Sequence, residues 1–179
     1  LSEMARMSAR ISDDLSMPPL NQELMAYRSF HSARSFDGLM WLPMWQSGTK
    51  PYLKDGGNFV FDDEGRPVVQ GWERVGFTIS VPAGGDMPED GWPVVIYGHG
   101  TGGDRHSFAD GLGELEVCNV LAEVGIAAFS ISLPLHGDRG TGLDPALASF
   151  NYLNPDSATA TFRQGALDQL YLAELLTRQ

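Results

Sequence analysis

The sequence predicts an α/β fold on a mixed sheet, in which antiparallel strands come first and parallel strands alternating with helices follow. Alternating apolar residues at 75–81 predict a strand after a hairpin region that begins near residue 56. Two short runs rich in β-branched residues, at 93–98 and 126–133, predict buried strands. Hairpins followed by strand–helix–strand–helix are typical of a sheet with parallel central strands and flanking helices.

The segment before residue 56 is less regular. An amphipathic helix is predicted before Pro18-Pro19, and a second helix from about Glu23 to Ala33. Residues 38–45 are rich in Trp and Met, and packing of this segment against the domain is favoured over a lid or acyl-contact role. We therefore divide the chain into a helical or irregular arm at 1–55 and a domain at 56–179.

Two helices are predicted between and after the buried strands. The first runs from about Leu115 to Val124, and Gly125 ends it because glycine accepts the left-handed conformation found there. The second begins near Thr159 and reaches the last residue, and its broad apolar face consists of Phe162, Ala166, Leu170, Ala173 and Leu176. A further strand is expected directly after it, so we expect a second polypeptide or a missing carboxyl-terminal half to complete the sheet.

Composition excludes several classes of function. The net charge is −11 with 12 Lys and Arg residues, which argues against nucleic-acid binding. No stretch of about 18 apolar residues predicts a transmembrane segment. Cys118 is the sole cysteine, so no intrachain disulfide can form. The first residues do not resemble a signal peptide, but the chain opens on Leu1, and an extracellular or periplasmic location after signal removal is favoured.

The most informative stretch is PVVIYGHGTGG at 93–103. A buried strand leads into a loop from His99 to Gly103, whose glycines leave backbone N–H groups uncovered. Such a loop can direct two donors at an oxygen that becomes negative during acyl transfer. The nucleophile pattern Gly-x-Ser-x-Gly appears nowhere in the 179 residues. The loop therefore predicts one half of an ester-hydrolysis site.

The same glycines allow an alternative. Gly98, Gly100 and Gly103 satisfy Gly-x-Gly-x-x-Gly after a strand and before a helix, which is the dinucleotide-binding pattern. Two observations count against it. The predicted helix begins about ten residues too late for that pattern, and the next strand ends in Ser132-Leu133-Pro134 with no acidic residue for a ribose hydroxyl.

A second loop, LPLHGDRG at 133–140, follows the second buried strand. Loops at the carboxyl ends of parallel strands meet at one sheet edge, so His99 and His136 are expected on neighbouring loops. Backbone hydrogen bonds from both histidines, bracing tight glycine turns, are favoured over metal binding, because no zinc-ligand spacing is present. Neither a metal nor a cofactor is predicted. Other metal-ligating residue types nearby are Asp104, His106 and Asp138.

Four motifs in a fixed order carry a family resemblance: GWPVVIYGHGTGG at 91–103, LPLHGDR at 133–139, FNYLNP at 150–155 and FRQGALD at 162–168. Over about residues 56–179 they resemble the amino-terminal half of a bacterial α/β-hydrolase of the lipase/esterase type. The resemblance implies a partial α/β-hydrolase-type mixed sheet and a serine carboxylic-ester hydrolase that acts on a small-molecule or lipid ester.

The resemblance also implies roles for individual residues. In that family, the oxyanion hole uses backbone N–H groups of the glycine loop, and Thr101 and Gly102 occupy that position here. The family's serine and histidine have no counterpart, so we expect them downstream or on another chain, and expect this chain alone to be inactive. Ser107 lacks the strand–turn–helix setting of a nucleophile. A non-catalytic binding module is the alternative. The residues implied in substrate binding are His99, Gly100, Gly103 and His136.

Overall fold

The computed structural model describes residues 21–110 and 116–177, which form a five-stranded sheet with helices on both faces. The strands are β1 (Asn21–Ser29), β2 (Ala33–Met44), β3 (Gly71–Pro82), β4 (Val94–Tyr97) and β5 (Ala127–Ile131). The helices are α1 (Val117–Glu123), α2 (Pro145–Phe150) and α3 (Pro155–Thr177), with a 3₁₀ turn at Gly137–Arg139.

The sheet is mixed, as the sequence predicts. Its strand order is β1-β2-β3-β5-β4. The first three pairs in this order are antiparallel, whereas β4 and β5 pair parallel, with Val94 opposite Ala127 and Tyr97 opposite Ser130. Helix α1 connects these two parallel strands, as a parallel pair requires. The carboxyl ends of β4 and β5 therefore lie side by side.

The predicted helix from about Glu23 to Ala33 is wrong. These residues form β1 and the turn into β2, where the Phe30 N–H donates to the Ala33 carbonyl at 2.8 Å. Helix-favouring residues such as Leu24, Met25 and Ala26 are overridden because β2 offers a ladder of backbone hydrogen bonds. The helical or irregular description of the arm is thus wrong for residues 21–44, while the division of the chain at residue 55 stays a prediction.

The Trp- and Met-rich segment 38–45 lies mostly in β2, which pairs with β3 along its full length. Met40, Leu42 and Trp45 are buried in the main core, which agrees with the packing interpretation. A side chain at Gly38 would meet the Phe77 ring at 2.3 Å, so this strand position requires a glycine.

Other predictions differ from the structure at element ends and in the buried face of the carboxyl-terminal helix. Phe162, Ala166 and Leu170 of the predicted apolar face are exposed, whereas Leu167, Tyr171 and Leu172 are buried. The predicted hairpin after residue 56 is reduced to isolated bridges, such as Phe61 with Pro67, around the turn at 62–66. The carboxyl-terminal helix begins at Pro155 rather than Thr159, because proline suits the first turn and the Asn154 side chain accepts from the Ser157 N–H at 3.3 Å. The predicted helix before Pro18 lies outside the described residues.

The sheet separates two cores. On one face α3 covers β2, β3 and β5, where the Phe77 and Phe129 rings stack with centroids 4.9 Å apart. On the other face α1 packs Cys118 and Ala122 against Phe108, which lies in the segment after the glycine loop. Among the described helices, none is long and apolar enough to cross a membrane.

A buried ion cluster fastens α3 to the loop after β5. The Arg139 guanidinium donates to Asp168 of α3 at 2.7 Å, to Glu73 of β3 at 2.9 Å and to the Ser132 carbonyl at 3.0 Å. Although burial alone would raise the pKa of the Glu73 carboxyl, Arg139 and Lys50 together hold it below its usual value. The cluster therefore keeps its charges paired inside the protein.

We expect Asp168→Ala to lower the free energy of unfolding by about 3–5 kcal/mol, because it leaves the Arg139 guanidinium buried without its closest carboxylate. Urea denaturation followed by circular dichroism measures the change. Arg66→Ala is the control, since the ion pairs of Arg66 with Asp62 and Glu64 lie at the surface and their loss should alter stability marginally. An equally small effect in both variants would contradict the argument.

Candidate functional site

The loop after β4 is a tight turn built on glycine. The Gly103 N–H donates to the Gly100 carbonyl at 3.1 Å, and Gly102, the third residue of the turn, has φ +83°. A positive φ at this position is the pattern of a type II turn and favours glycine. Within the described residues, neither the Thr101 N–H nor the Gly102 N–H donates to another group of the protein. Both residues are exposed at the carboxyl end of β4.

His99 joins this turn to the loop after β5. Its Nδ1–H donates to the Gly100 carbonyl at 2.7 Å, and its Nε2 accepts from the Leu133 N–H at 2.9 Å. Burial lowers the pKa of the His99 imidazole, and the neighbouring His136 acts in the same direction. Both ring nitrogens are used by the backbone, as the bracing interpretation expects. A direct contact of His99 with substrate stays a prediction.

His136 lies beside His99, with ring centroids 5.1 Å apart. Its Nδ1 is 2.9 Å from the Pro134 carbonyl, which is again a backbone hydrogen bond within a tight loop. The preceding residue, Leu135, is buried with φ +65°, an uncommon conformation for a bulky side chain. The structure therefore brings the two predicted histidines together, and the bracing of His136 comes from its own loop.

Asp138 ties three segments together behind the site. Its carboxylate accepts from Ser132 Oγ at 2.5 Å and from the Gly76 N–H of β3 at 2.8 Å. The Arg105 guanidinium lies 2.9 Å from the same carboxylate. Burial would raise the pKa of Asp138, but these donors and Arg105 outweigh it and hold the pKa below its usual value. The segment that follows the glycine loop is thus fixed to the sheet.

A group of metal-ligating residue types lies in this segment and includes neither His99 nor His136. Asp104, His106 and Asp110 each offer one ligand atom, and these atoms lie within 4.8 Å of one another. The His106 Nε2 contacts both oxygens of Asp37, at 3.0 and 3.1 Å, an arrangement that orients the other ring nitrogen. These residues could hold a cation by position, although exposed acidic groups are common without one.

The geometry disfavours the dinucleotide alternative. Residues 98–110 form turns and irregular backbone, and α1 begins only at Val117. A dinucleotide-binding loop would begin its helix among the glycines and direct the helix N-terminus at the pyrophosphate. The predicted late helix start is therefore confirmed for the described residues, which exclude 111–115.

A cavity of about 270 Å³ opens next to the glycine turn. Gly98 and His99 form one wall, the loop after β5 a second, and the amino-terminal half of α3 a third. Leu133, Pro134 and Phe162 make much of its surface apolar. It is a little smaller than most ligand pockets, which are roughly 300–1,000 Å³. Two of its lining residues, Gly98 and His99, directly precede the glycine turn.

Sequence reasoning missed Arg139 and the part it has in positioning the site. The motif at 133–139 was noticed for its histidine, whereas its arginine makes the buried contacts to Asp168 and Glu73. A signal was present, because an arginine three residues after His136 and an aspartate within a predicted helix both need partners if they are buried. The spacing did not show that they pair with each other.

Comparison of structures gives the fold its context. No family model and no curated protein sequence matches the chain. An acetyl xylan esterase from Paenibacillus sp. R4 is similar in structure with a TM-score of 0.50 and 17% identity, over 96% of this chain and 45% of that one. A cold-adapted esterase from an Arctic intertidal metagenomic library matches with a TM-score of 0.39 and 19% identity, over 88% of this chain and 51% of that one.

The likeness to the Paenibacillus enzyme shows the class of fold. The mixed sheet and its helices resemble part of the fold of that esterase. The chain spans about half the length of these two structures.

We expect the free energy of unfolding to fall as the pH drops below about 6.5. Folding lowers the pKa of His99, so the unfolded chain binds the proton more readily, and protonation removes the Nε2 lone pair that accepts from Leu133. Urea unfolding between about pH 7.5 and 5.5 measures the slope.

His99→Gln should make that slope shallower because glutamine does not titrate. The matched control, His31→Gln, alters an exposed histidine and should keep the full slope. Identical slopes in the two variants would show that His99 does not couple protonation to folding. The lowered pKa values of Glu73 and Asp138 act at more acidic pH, outside this window.

Proposed function

We propose that this chain supplies the oxyanion-hole part of a serine carboxylic-ester hydrolase of the α/β-hydrolase type. The observation that carries the proposal is the turn at Gly100–Gly103 at the carboxyl end of β4. It leaves the Thr101 and Gly102 N–H groups without partners among residues 21–110 and 116–177. Two adjacent backbone donors on a rigid turn are what the oxyanion of acyl transfer requires. The esterase fold supports the assignment.

In the proposed reaction, a serine oxygen attacks the ester carbonyl carbon and gives up its proton to a histidine base. The carbonyl oxygen becomes negative and accepts hydrogen bonds from Thr101 and Gly102. The tetrahedral intermediate collapses to an acyl-enzyme, and the alcohol leaves with the proton from the histidine. Water then gives a proton to the histidine and attacks the acyl carbon, and the serine leaves with that proton as the acid is released. This chain contributes the donors, while the serine and the base come from elsewhere.

The open edge of the sheet is a suitable place for the segment that brings the serine. β4 pairs with β5 on one side, and no described strand pairs with its other side. Val94 and Val95 are 41% and 38% exposed there. A strand added parallel to β4 would end beside the glycine turn, where its following loop could present a nucleophile. We propose a downstream segment or a second polypeptide as the source.

A non-catalytic binding module is the second candidate, and the missing Gly-x-Ser-x-Gly pattern favours it. Ser107 does not replace the nucleophile, because its Oγ accepts from the Asp104 N–H at 2.9 Å in a local turn. Hydrolysis by the longer protein or by the assembled complex separates the two candidates.

We expect the 179-residue chain alone to hydrolyse p-nitrophenyl esters no faster than its heat-denatured control, since an oxyanion hole without nucleophile and base keeps little of the catalytic effect. Release of p-nitrophenol is the measurement. Saturable turnover that a fluorophosphonate abolishes would overturn the expectation, and Ser107→Ala would then test the nearest hydroxyl.

In the complete enzyme, Gly102→Val should lower kcat by about 10²–10³, or roughly 2.7–4 kcal/mol, with a small change in KM. A β-branched residue does not adopt φ +83° without strain, so the turn and its donors are displaced.

Gly65→Val is the matched control for that variant. Gly65 also has a positive φ, +71°, and open space around its Cβ position, but it lies in the remote turn at 62–66. It should show the same kind of backbone strain and an unchanged kcat. A normal kcat for Gly102→Val, or an equal loss in both variants, would refute the role of the turn.

A further inference from the structure

The cavity beside the glycine turn contains three buried polar atoms that have no hydrogen-bond partner among the described residues. They belong to residues that line the cavity: Nε2 of His136, Oγ of Ser149 and Nε2 of Gln169. His136 and Ser149 are only 6% and 4% exposed. Since buried polar groups in proteins are nearly always paired, three unpaired ones around one cavity point to a ligand that satisfies them.

The hydrogen-bond chemistry of these atoms restricts the ligand. The Pro134 carbonyl can only accept, so Nδ1 of His136 carries the proton and, in the neutral ring, Nε2 carries a lone pair. Nε2 therefore needs a donor. The Gln169 amide nitrogen needs an acceptor, and the Ser149 hydroxyl serves as either. A hydroxyl group both donates and accepts, and meets these requirements.

The ligand is also neutral. In the part of the chain that the structure describes, no Asp, Glu, Lys or Arg lines the cavity. The nearest buried cation on the loop, Arg139, is fully engaged with Asp168, Glu73 and the Ser132 carbonyl, so it does not attract an anion. Leu133 and Phe162 provide apolar walls for the rest of the molecule. The volume corresponds to roughly nine waters at about 30 Å³ each, so the ligand is small.

We propose that this cavity binds a small neutral alcohol, with its hydroxyl donating to His136 Nε2 and its apolar body against Leu133 and Phe162. Ser149 and Gln169 make the remaining polar contacts. The evidence for a binding site is the cavity and its polar atoms. The assignment of the ligand as the alcohol component of an ester rests on the proposed function. The adjacent glycine turn would then hold the carbonyl of the same substrate.

The test uses three probes of nearly equal shape: benzyl alcohol, benzyl methyl ether, which has no donor, and benzoate, which is charged. Titration of the ¹⁵N-labelled protein, observed at the histidine ring nitrogens by NMR, gives affinity and site together. Benzyl alcohol should bind and shift the His136 Nε2 resonance. The ether should bind about 3- to 10-fold more weakly, which is the usual effect of one lost hydrogen bond, and benzoate should bind more weakly still.

Two variants and a control locate the binding. Ser149→Ala and Gln169→Met remove unpartnered polar atoms, so little native bonding is lost, and each should weaken benzyl alcohol about 3- to 10-fold. Ser35→Ala removes another buried, unpartnered hydroxyl that does not line the cavity, and it should leave the affinity unchanged.

Several outcomes would overturn the proposal: no binding of benzyl alcohol, equal binding of the ether or benzoate, or binding without a shift at His136. Because the experiment measures no hydrolysis, its result is independent of the catalytic assignment. Alcohol binding in a protein that proves inactive would keep the cavity and refute only the proposed function. An active enzyme whose cavity does not bind benzyl alcohol would refute the alcohol site and keep the proposed function.

Discussion

The position of the site depends on one buried cation. Arg139 holds Asp168 of α3, Glu73 of β3 and the Ser132 carbonyl at the same time, so a helix, a strand and a loop converge on one guanidinium. Removal of one partner leaves an uncompensated charge inside the protein. The three contacts of Arg139 are therefore expected to form and break together. The contacts of Arg139 therefore fix the position of the loop after β5. Residues that bond to this loop are positioned by the same contacts.

The position of the glycine turn depends on the loop after β5. Leu133 lies next to Ser132 and donates to His99, which in turn donates to Gly100 inside the turn. A short chain of hydrogen bonds thus runs from the ion cluster to the backbone that carries the two uncovered donors. Rigid placement of donors before the reaction is the property that makes such a turn useful for stabilising charge, and here the rigidity originates outside the turn itself.

The sequence predicted the mixed sheet, the two parallel strands and the irregular backbone after the glycines, because these follow from local patterns of apolar and glycine residues. It failed at β1, where Leu24 and Met25 favour a helix and only pairing with β2 decides otherwise. It also missed the partnership of Arg139 with Asp168, 29 positions apart. Pairs of that kind are fixed by the packing of α3 on the sheet, and no spacing rule contains them.

The short strand β4 has a consequence for how the protein behaves in concentrated solution. One side of β4 is unpaired by any described strand, and its backbone donors and acceptors, beside the exposed Val94 and Val95, can pair with an extended chain. The four residues of β4, which could pair with a neighbouring strand, are therefore also a site at which self-association could start. Covering that edge protects the protein from aggregation as much as it completes the sheet.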